Sequence, residues 1–409
     1  MPNPNMQDQS ISAEERRNFG VVCLALTCVF IVHSMLLVTV PVHALDLGAS
    51  PLLLGVIFSA PYLLPLIVAI PFGTLVTRHG GRVSMLSGAS LMVFGLVTIL
   101  VVPGYPGLII GQLSFGLAQL QMVLAAQTII STLGTGPKLE SYFGWYTTWL
   151  SGGQIVGPLI AGGLIHAVGT TASSFAAMLV IACCSLVTAL LLTGEAKQGR
   201  SVQWSSTGFR AQGSLFCKSP AVRISIAVTA AATFAMIIHG NYLPVLLENM
   251  LVTPTTIGIL ISLRAVAAMV IRPVIAKVIA LMGGRGIAML VSILSMALGM
   301  LFLGGTDNLI LIGFFSILIG LGSGVCQPLS IVVLSESVDG TQRAGALGMR
   351  LMANRGVNFL APLFFGLMLE IGGFTLSFAL TGAVLVLATM LVFFMTRASK
   401  FRKAKKTGE

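Results

Sequence analysis

Long apolar runs recur along this chain, and they restrict its fold more than any other feature. About 20 consecutive apolar residues, wound as a helix, span the hydrocarbon core of a bilayer. Runs of that length occur near residues 19–41, 52–76, 83–102, 107–133, 142–167, 171–193, 222–247, 255–279, 287–304, 309–334, 343–369 and 374–396. Only 9% of the 409 residues are charged, against about 25% in soluble domains. The sequence therefore predicts an all-α integral membrane protein with twelve transmembrane helices.

The basic residues of the loops fall on one side of these helices. No Lys or Arg occurs in loops 42–51, 103–106, 168–170, 248–254, 305–308 and 370–373. Positively charged loops stay in the cytoplasm, so we expect a protein of the bacterial inner membrane with both termini in the cytoplasm. Part of the net charge of +11 lies in the tail from Arg397 onward. A basic tail beside the membrane favours anionic lipid, rather than nucleic acid, as its partner.

The chain divides into two similar halves. We expect a cytoplasmic N-terminal segment (1–18), a six-helix bundle (19–193), a cytoplasmic central loop (194–221), a second six-helix bundle (222–396) and a basic cytoplasmic tail (397–409). A shift of 203 positions places Pro51, Gly55 and Ser59 on Pro254, Gly258 and Ser262. A shift of 204 places Pro158 and Gly162 on Pro362 and Gly366. Each half has an even number of spans, so the prediction is a pair of pseudo-symmetric bundles inserted in the same sense.

Two stretches of the first half are rich in glycine. The predicted fifth helix contains Gly144, Gly153, Gly157, Pro158 and Gly162. The connection between the second and third helices contains Gly73, Arg78, Gly80 and Arg82. Glycine weakens a helix in water, but in a bilayer it lets a neighbouring helix approach closely. We expect the fifth helix to be built for close packing and bending.

These motifs and the repeat resemble the major facilitator superfamily, in particular its twelve-helix branch of drug and metabolite:proton antiporters. The fifth-helix stretch is similar to the antiporter motif of that branch. The stretch from Gly73 to Arg82 is similar to the inter-helix motif, with Thr77 at its acidic position, and Gln112 stands where the family has an Arg. The resemblance implies the major facilitator fold, alternating access to a central site, and a fifth helix that seals the closed state.

Polar residues within the predicted helices are the candidates for substrate binding. Arg264 and Arg355 fall near the membrane midplane, where an ionisable residue is costly and therefore a candidate for function. A guanidinium group suits an anionic substrate, although a structural ion pair or a clamp to backbone carbonyls is the alternative. The other candidate contacts are Gln112, Gln119, Trp149, Asn241 and Asn358. Interhelical hydrogen bonding is an equal alternative for the glutamines.

The remaining ionisable residues are candidates for proton coupling or gating. A proton-coupling group must change its charge in the working pH range. The candidates are His33, His239, Glu248 and Asp46. A lone histidine in a membrane helix also serves as a hydrogen-bonded packing residue. We expect Arg350, with Glu336 and Asp339 nearby, to form a gate or a structural pair.

The sequence favours a secondary active transporter over an enzyme. It lacks a phosphate-binding loop of the G-x-x-x-x-G-K-[ST] type, and no metal site, nucleophile or cofactor is expected. We expect a monomer that exports a small organic molecule, with an anionic drug, metabolite or siderophore favoured, in exchange for protons. The expected partners are therefore this substrate, protons and membrane lipids. Proton-coupled uptake of a small anionic solute is one alternative, and a non-transporting receptor or lipid-handling protein is another.

Overall fold

The computed structural model of the chain describes residues 13–131, 137–193, 219–338 and 340–407, and these residues form helices joined by short turns. The first half contains α1 (Ala13–Asp46), a stretch Pro51–Val101 that breaks at Gly80 into α2 (51–79) and α3 (81–101), α4 (Gly104–Ser131), α5 (Pro137–Val168) and α6 (Thr171–Leu190). The second half begins with α7 (Pro220–Asn249) and α8 (Pro254–Ile271, extended by Arg272–Val274 and Ile275–Leu281). It continues with α9 (Arg285–Leu303), α10 (Leu309–Glu336) and a stretch Gly340–Thr407 that breaks at Gly373 into α11 (340–372) and α12 (374–407).

The helices of the described residues agree with the predicted twelve spans. Eleven helical stretches are long and apolar enough to cross a membrane, and one of them, Ala346–Arg397, contains the break at Gly373. Counting the parts on each side of that break gives twelve. The predicted N-terminal segment and most of the predicted central loop lie outside the described residues, whereas α12 continues through the predicted tail to Thr407.

The helices run between two ends of the molecule, which we call the termini end and the far end. The termini end holds the start of α1 and the end of α6, where the Asn18 side chain donates a hydrogen bond to the Thr193 carbonyl at 2.8 Å. The far end holds the opposite turns, at 47–50, 102–103, 169–170, 250–253 and 304–308, together with Gly373. Because successive helices alternate in direction, α7 starts and α12 finishes at the termini end as well.

The sequence repeat is also a backbone repeat. Gly80 and its counterpart Gly283 have φ values of 83° and 79°, and Gly169 and Gly373 have values of 77° and 68°. Each of these glycines lies between two consecutive helices. The shift that aligns the two sequences therefore also aligns the points at which the chain reverses.

Two seams join the halves at the far end, and the repeated Gly and Pro residues form them. In the seam between α5 and α8, a Cβ atom built on Gly162 would lie 2.2 Å from the Pro254 carbonyl oxygen, and one on Gly258 would lie 2.3 Å from that of Pro158. The seam between α2 and α11 repeats this arrangement with its equivalent residues. There a Cβ atom built on Gly366 would lie 2.6 Å from the Pro51 carbonyl oxygen, and one on Gly55 would lie 2.8 Å from the Pro362 carbonyl oxygen. At all four positions only glycine allows the two backbones to approach this closely.

A serine beside each seam adds a hydrogen bond between the halves. Ser59 of α2 donates to the Phe359 carbonyl at 2.7 Å, and its counterpart Ser262 of α8 donates to the Ile155 carbonyl at 3.0 Å. The two acceptors occupy equivalent positions in the two halves, three residues before Pro362 and Pro158. The far end is thus closed by two related contacts, both made largely of backbone.

Candidate substrate cavity

A cavity of about 350 Å³ lies in the middle of the molecule, between the two halves. Its lining comes from α1, α2, α4 and α5 in the first half and from their counterparts α7, α8, α10 and α11 in the second. The charged, amide and imidazole side chains in the lining are His33, Gln119, Gln154, Arg264, Gln327, Asn354, Arg355 and Asn358. A wall in which charged and amide side chains are set among apolar ones suits a ligand or a water-filled space at this depth rather than lipid.

Arg264 and Arg355 both line this cavity, from α8 and α11. Arg264 is only 8% exposed, and its Nε atom has no hydrogen-bond partner among the described residues. The described lining includes no Asp or Glu. A buried guanidinium group without a carboxylate is costly, so the cavity carries positive charge that a bound anion would neutralise.

The two candidate histidines lie in different surroundings. His33 lines the cavity, stacks on Phe115 with ring centroids 5.9 Å apart, and meets the Phe30 ring edge-on at 6.1 Å. His239 is fully buried within the second half, where its Nε2 atom lies 2.9 Å from the Ser316 hydroxyl of α10. His33 is therefore placed to meet a ligand, whereas the surroundings of His239 match those of a packing residue.

A second, much smaller cavity of about 20 Å³ adjoins the first and shares His33, Leu37 and Tyr62 with it. It lies closer to the far end, because α1 contributes Val40 and Pro41 there. Gln112 of α4 and Asn241 of α7 line it, and each is 5% exposed. The Oε1 atom of Gln112 and the Nδ2 atom of Asn241 have no hydrogen-bond partner in the described part of the chain.

Of the predicted substrate contacts, Trp149 lies away from both cavities. Its side chain is 46% exposed, and it shares one stripe of α5 with Trp145 and Val156, which are also exposed. The cavity-lining residues of α5, Gln154 and Pro158, lie on another face of that helix. Gln119 and Asn358 line the large cavity, as the sequence predicts for substrate contacts.

The acidic candidates for proton coupling lie at the far end and do not line either cavity. Asp46 is exposed at the end of α1. Glu248 is half-buried near the end of α7, and its Oε2 atom has no hydrogen-bond partner among the described residues. Their position favours a role at the entrance to the closed end rather than contact with a central ligand.

The residues of the fifth-helix motif serve two different contacts. Gly153 and Gly157 pack on α1 within the first half, where added Cβ atoms would lie 2.9 Å from the Thr27 carbonyl and 2.6 Å from the Ile31 carbonyl. Pro158 and Gly162 pack on α8 across the seam. Gly144 has open space around it. The motif therefore fixes α5 to its own half and at the same time to the opposite one.

The second motif is described only in part. The backbone is helical from 51 to 79, but the side chains of 69–79 lie outside the described ones, and with them the Arg78 guanidinium. Gly73 therefore has a described backbone only. Gly80 forms the break between α2 and α3, and Arg82 is exposed directly after it.

Arg350 does not pair with Glu336, one of the two carboxylates that its sequence position suggests. Its Nε atom donates to the Thr229 hydroxyl at 2.9 Å, and its Nη2 atom donates to the Gln327 side-chain oxygen at 2.9 Å. Glu336 pairs instead with Arg285, and Asp339 lies outside the described residues. Arg350 therefore connects α11 to α7 and α10 within the second half.

Sequence reasoning missed several cavity residues. Tyr62, Gln154, Gln327 and Asn354 all line the large cavity. Helical spacing was the available signal for Asn354, because it lies four residues before the predicted contact Asn358 and so shares a helix face with it. Gln154 likewise lies one turn before Pro158.

The sequence and structure comparisons agree on the class of protein. The profile of the Major Facilitator Superfamily matches residues 22–251 and again residues 226–409. Two matches cover the chain almost from end to end and coincide with its two halves. The chain therefore belongs to the Major Facilitator Superfamily, whose members are membrane transporters of small molecules.

Solved structures of this superfamily share the fold at low sequence identity. A bacterial homologue of the human lysosomal transporter Spinster, inward-facing and unoccupied, superposes with a TM-score of 0.79 at 14% identity over 95% of this chain and 98% of that one. The nucleoside transporter NupG gives 0.76 at 15% identity over 93% and 99%. The human organic anion transporter MFSD10 gives 0.67 at 17% identity over 92% and 99%. No curated protein sequence matches the chain significantly.

Proposed function

We propose that this transporter carries a small organic anion through the central cavity by alternating access. The observation that supports the proposal is the pair Arg264 and Arg355, which line the cavity without a described carboxylate. A planar guanidinium group donates paired hydrogen bonds to a carboxylate or phosphate group. A cavity between the two halves lets both of them contact the same ligand as they move.

The direction in which the cavity opens follows from the predicted orientation. With both termini in the cytoplasm of a bacterial inner membrane, the far end faces outward, and its two seams close it. The structure then corresponds to an inward-facing state. The Spinster homologue, which is in an inward-facing state, supports this assignment.

Two features of the protein favour different modes of coupling between the anion and protons. The fifth-helix motif favours export of the anion in exchange for protons, because that motif is typical of exporters. His33 favours movement of the proton together with the anion, since it lines the same cavity as Arg264 and Arg355. A proton on His33 would add positive charge, which strengthens anion binding and is in turn stabilised by the anion. Export by exchange remains our first candidate and symport the second.

The anion site is tested by transport in proteoliposomes. Arg264→Ala and Arg355→Ala should each reduce counterflow of a labelled organic anion at least 10-fold, as expected when one charge-assisted contact of about 1.5–3 kcal/mol is removed. Lys277→Ala is the matched control, because Lys277 is an exposed cation on the same helix as Arg264. Wild-type rates in both arginine variants would exclude the anion site.

The coupling is tested with an imposed pH gradient. The lumen of the proteoliposome represents the cytoplasm. A more acidic external buffer should drive the labelled anion out of the lumen if the anion is exchanged for protons. It should drive the anion into the lumen if anion and proton move together. His33→Gln should abolish the response to the gradient in either case while leaving counterflow at equal pH intact. A gradient response that persists in His33→Gln would exclude His33 as the coupling residue.

A further inference from the structure

Four buried polar atoms without partners lie on residues that line the two cavities. They are Gln112 Oε1, Asn241 Nδ2, Asn354 Oδ1 and Arg264 Nε. Buried polar atoms are almost always hydrogen-bonded, to protein, water or ligand. Eight such unpaired atoms occur among the described residues, and four of them lie on residues around one connected space, so these residues have hydrogen-bonding capacity that the protein itself leaves unused. Three of the four belong to amides, so the arginines alone do not account for the pattern.

The small cavity restricts the size and the polarity of what it can hold. About 20 Å³ is close to the minimum that accommodates one water-sized group. Gln112 and Asn241 line it with amide groups, each of which has one unpaired atom, while Phe58 and Phe115 make part of the wall apolar. A hydroxyl group fits this description, because it accepts and donates hydrogen bonds, carries no charge and has one heavy atom.

The large cavity continues the same chemistry. Gln119, Gln154, Asn354 and Asn358 line it beside the two arginines, and its described lining includes no Asp or Glu. An amide side chain offers both a donor and an acceptor, which matches a hydroxyl group. A hydrocarbon anion would leave these amides unpaired at a cost, whereas a hydroxylated anion would satisfy them.

We propose that the transported ligand is a polyhydroxylated organic anion, whose charged group binds Arg264 and Arg355 and whose far hydroxyl group enters the small cavity between Gln112 and Asn241. That the ligand is an anion rests on the proposed function, whereas that it carries hydroxyl groups rests on the unpaired amides. Gln112 belongs to the first half of the molecule and Asn241 to the second. The hydroxyl group therefore bridges the two halves beside the closed far end.

Three matched probes test the inference on the purified full-length protein. Gluconate carries a carboxylate and five hydroxyl groups, hexanoate is the carboxylate of the same chain length without hydroxyl groups, and sorbitol is the uncharged polyol. We expect gluconate to stabilise the protein against heat at a concentration at least 10-fold lower than either of the others. Hexanoate binding as tightly as gluconate, or no binding of gluconate, overturns hydroxyl recognition. Sorbitol binding as tightly as gluconate refutes the anion site of the proposed function and leaves the hydroxyl site standing.

Variants of the small cavity separate ligand binding from a structural role. Asn241→Leu and Gln112→Leu should weaken gluconate binding about 5- to 10-fold, as the loss of one hydrogen bond of about 1–1.5 kcal/mol predicts. Both should leave the melting temperature without ligand unchanged or raised, because each removes a polar atom that lacks a protein partner. Asn249→Leu, an exposed change on the same helix, is the control. A lower melting temperature with unchanged gluconate affinity would assign these amides a structural role and overturn the proposal.

Discussion

At the scale of single residues, Leu251 shows where the second half departs from the first. Its φ of 58° is in the left-handed region, and it is the one non-glycine residue with positive φ in the described part of the chain. Shifted by 203 positions it falls on Gly48, which has a φ of 77°. The turn thus has the same shape in both halves, but only the first half has the residue that adopts this shape without strain.

Leu251→Gly should therefore stabilise the protein. A left-handed backbone conformation costs a residue with a side chain about 1–2 kcal/mol. Relief of this strain is offset by about 0.5–1 kcal/mol, because glycine is more flexible in the unfolded chain. Leu251 is 92% exposed, so no packing is lost. We expect a rise in melting temperature, measured in detergent by intrinsic fluorescence. Leu251→Ala is the control and should show no rise, because alanine keeps the Cβ atom that causes the strain.

Two buried arginines of the second half should respond to substitution in opposite ways. Arg350 donates hydrogen bonds to Thr229, Ser330 and Gln327, so Arg350→Leu leaves the buried Gln327 side-chain oxygen without this donor and should destabilise the protein by about 1–3 kcal/mol. Arg264→Leu removes a cation whose Nε atom has no partner, so it should leave stability unchanged or raise it. Thermal unfolding without ligand checks both, and a lower melting temperature for Arg264→Leu would show that this side chain is a structural clamp.

At the scale of helices, Glu370 distinguishes the two seams. Its Oε2 atom accepts a hydrogen bond from the Leu52 backbone N–H at 3.1 Å, so a carboxylate of α11 caps the start of α2. A negative charge at a helix N-terminus is favourable. The position equivalent to Glu370 in the first half is His166, which cannot supply that charge to α8. The seam between α2 and α11 therefore has an electrostatic contact that the seam between α5 and α8 lacks.

Glu370→Gln should weaken closure of the far end. The charge contributes about 0.3–1 kcal/mol to the contact, so its loss should raise the population of the open far end roughly 2- to 5-fold. Spin labels at Pro103 and Asp307, in far-end turns of the two halves, report this population as a longer distance by pulsed electron resonance. Asp46→Asn neutralises an exposed far-end carboxylate outside the seams and should leave the distances unchanged. Unaltered distances in Glu370→Gln would show that the cap does not contribute to closure.

Helix number and the repeat were predictable from the sequence, because hydrophobic length and chain reversal are local properties. The pairing of the repeated residues was not. Gly162 and Pro254 are 92 positions apart, and only the antiparallel crossing of α5 and α8 places one against the other.

Trp149 shows the same limit within one helix. Its depth in the membrane followed from the sequence, but the direction in which it faces depends on which side of α5 packs against other helices. Arg264 and Arg355 were predictable because a charge in an apolar run stands out, whereas the amides around them resemble ordinary interhelical contacts.

At the scale of the whole molecule, the two halves are joined mainly where the far end closes. Among the described residues, Arg272 of α8 donates to Ser151 of α5 at 3.0 Å, and this is the cross-half hydrogen bond nearest the termini end. The other cross-half hydrogen bonds of the described residues are donated by Ser59, Ser262, Thr255 and the Leu52 backbone, and they lie in the far half. Opening the far end thus requires the two related seams to separate together, which is what rocking about a central pseudo-symmetry axis would do.

Gly162→Ala should block this closure, and its neighbour provides the control. A Cβ atom at Gly162 would lie 2.2 Å from the Pro254 carbonyl oxygen, which is backbone, whereas a Cβ atom at Gly163 meets nothing within 4 Å. We expect Gly162→Ala to reduce transport at least 10-fold and to lengthen the distance between labels at Pro103 and Asp307, and Gly163→Ala to behave as wild type. Gly366→Ala should act in the same way, because its Cβ atom would lie 2.6 Å from the Pro51 carbonyl oxygen. If Gly162→Ala impaired transport while the far end stayed closed, the seam would serve the stability of α5 rather than the switch between states.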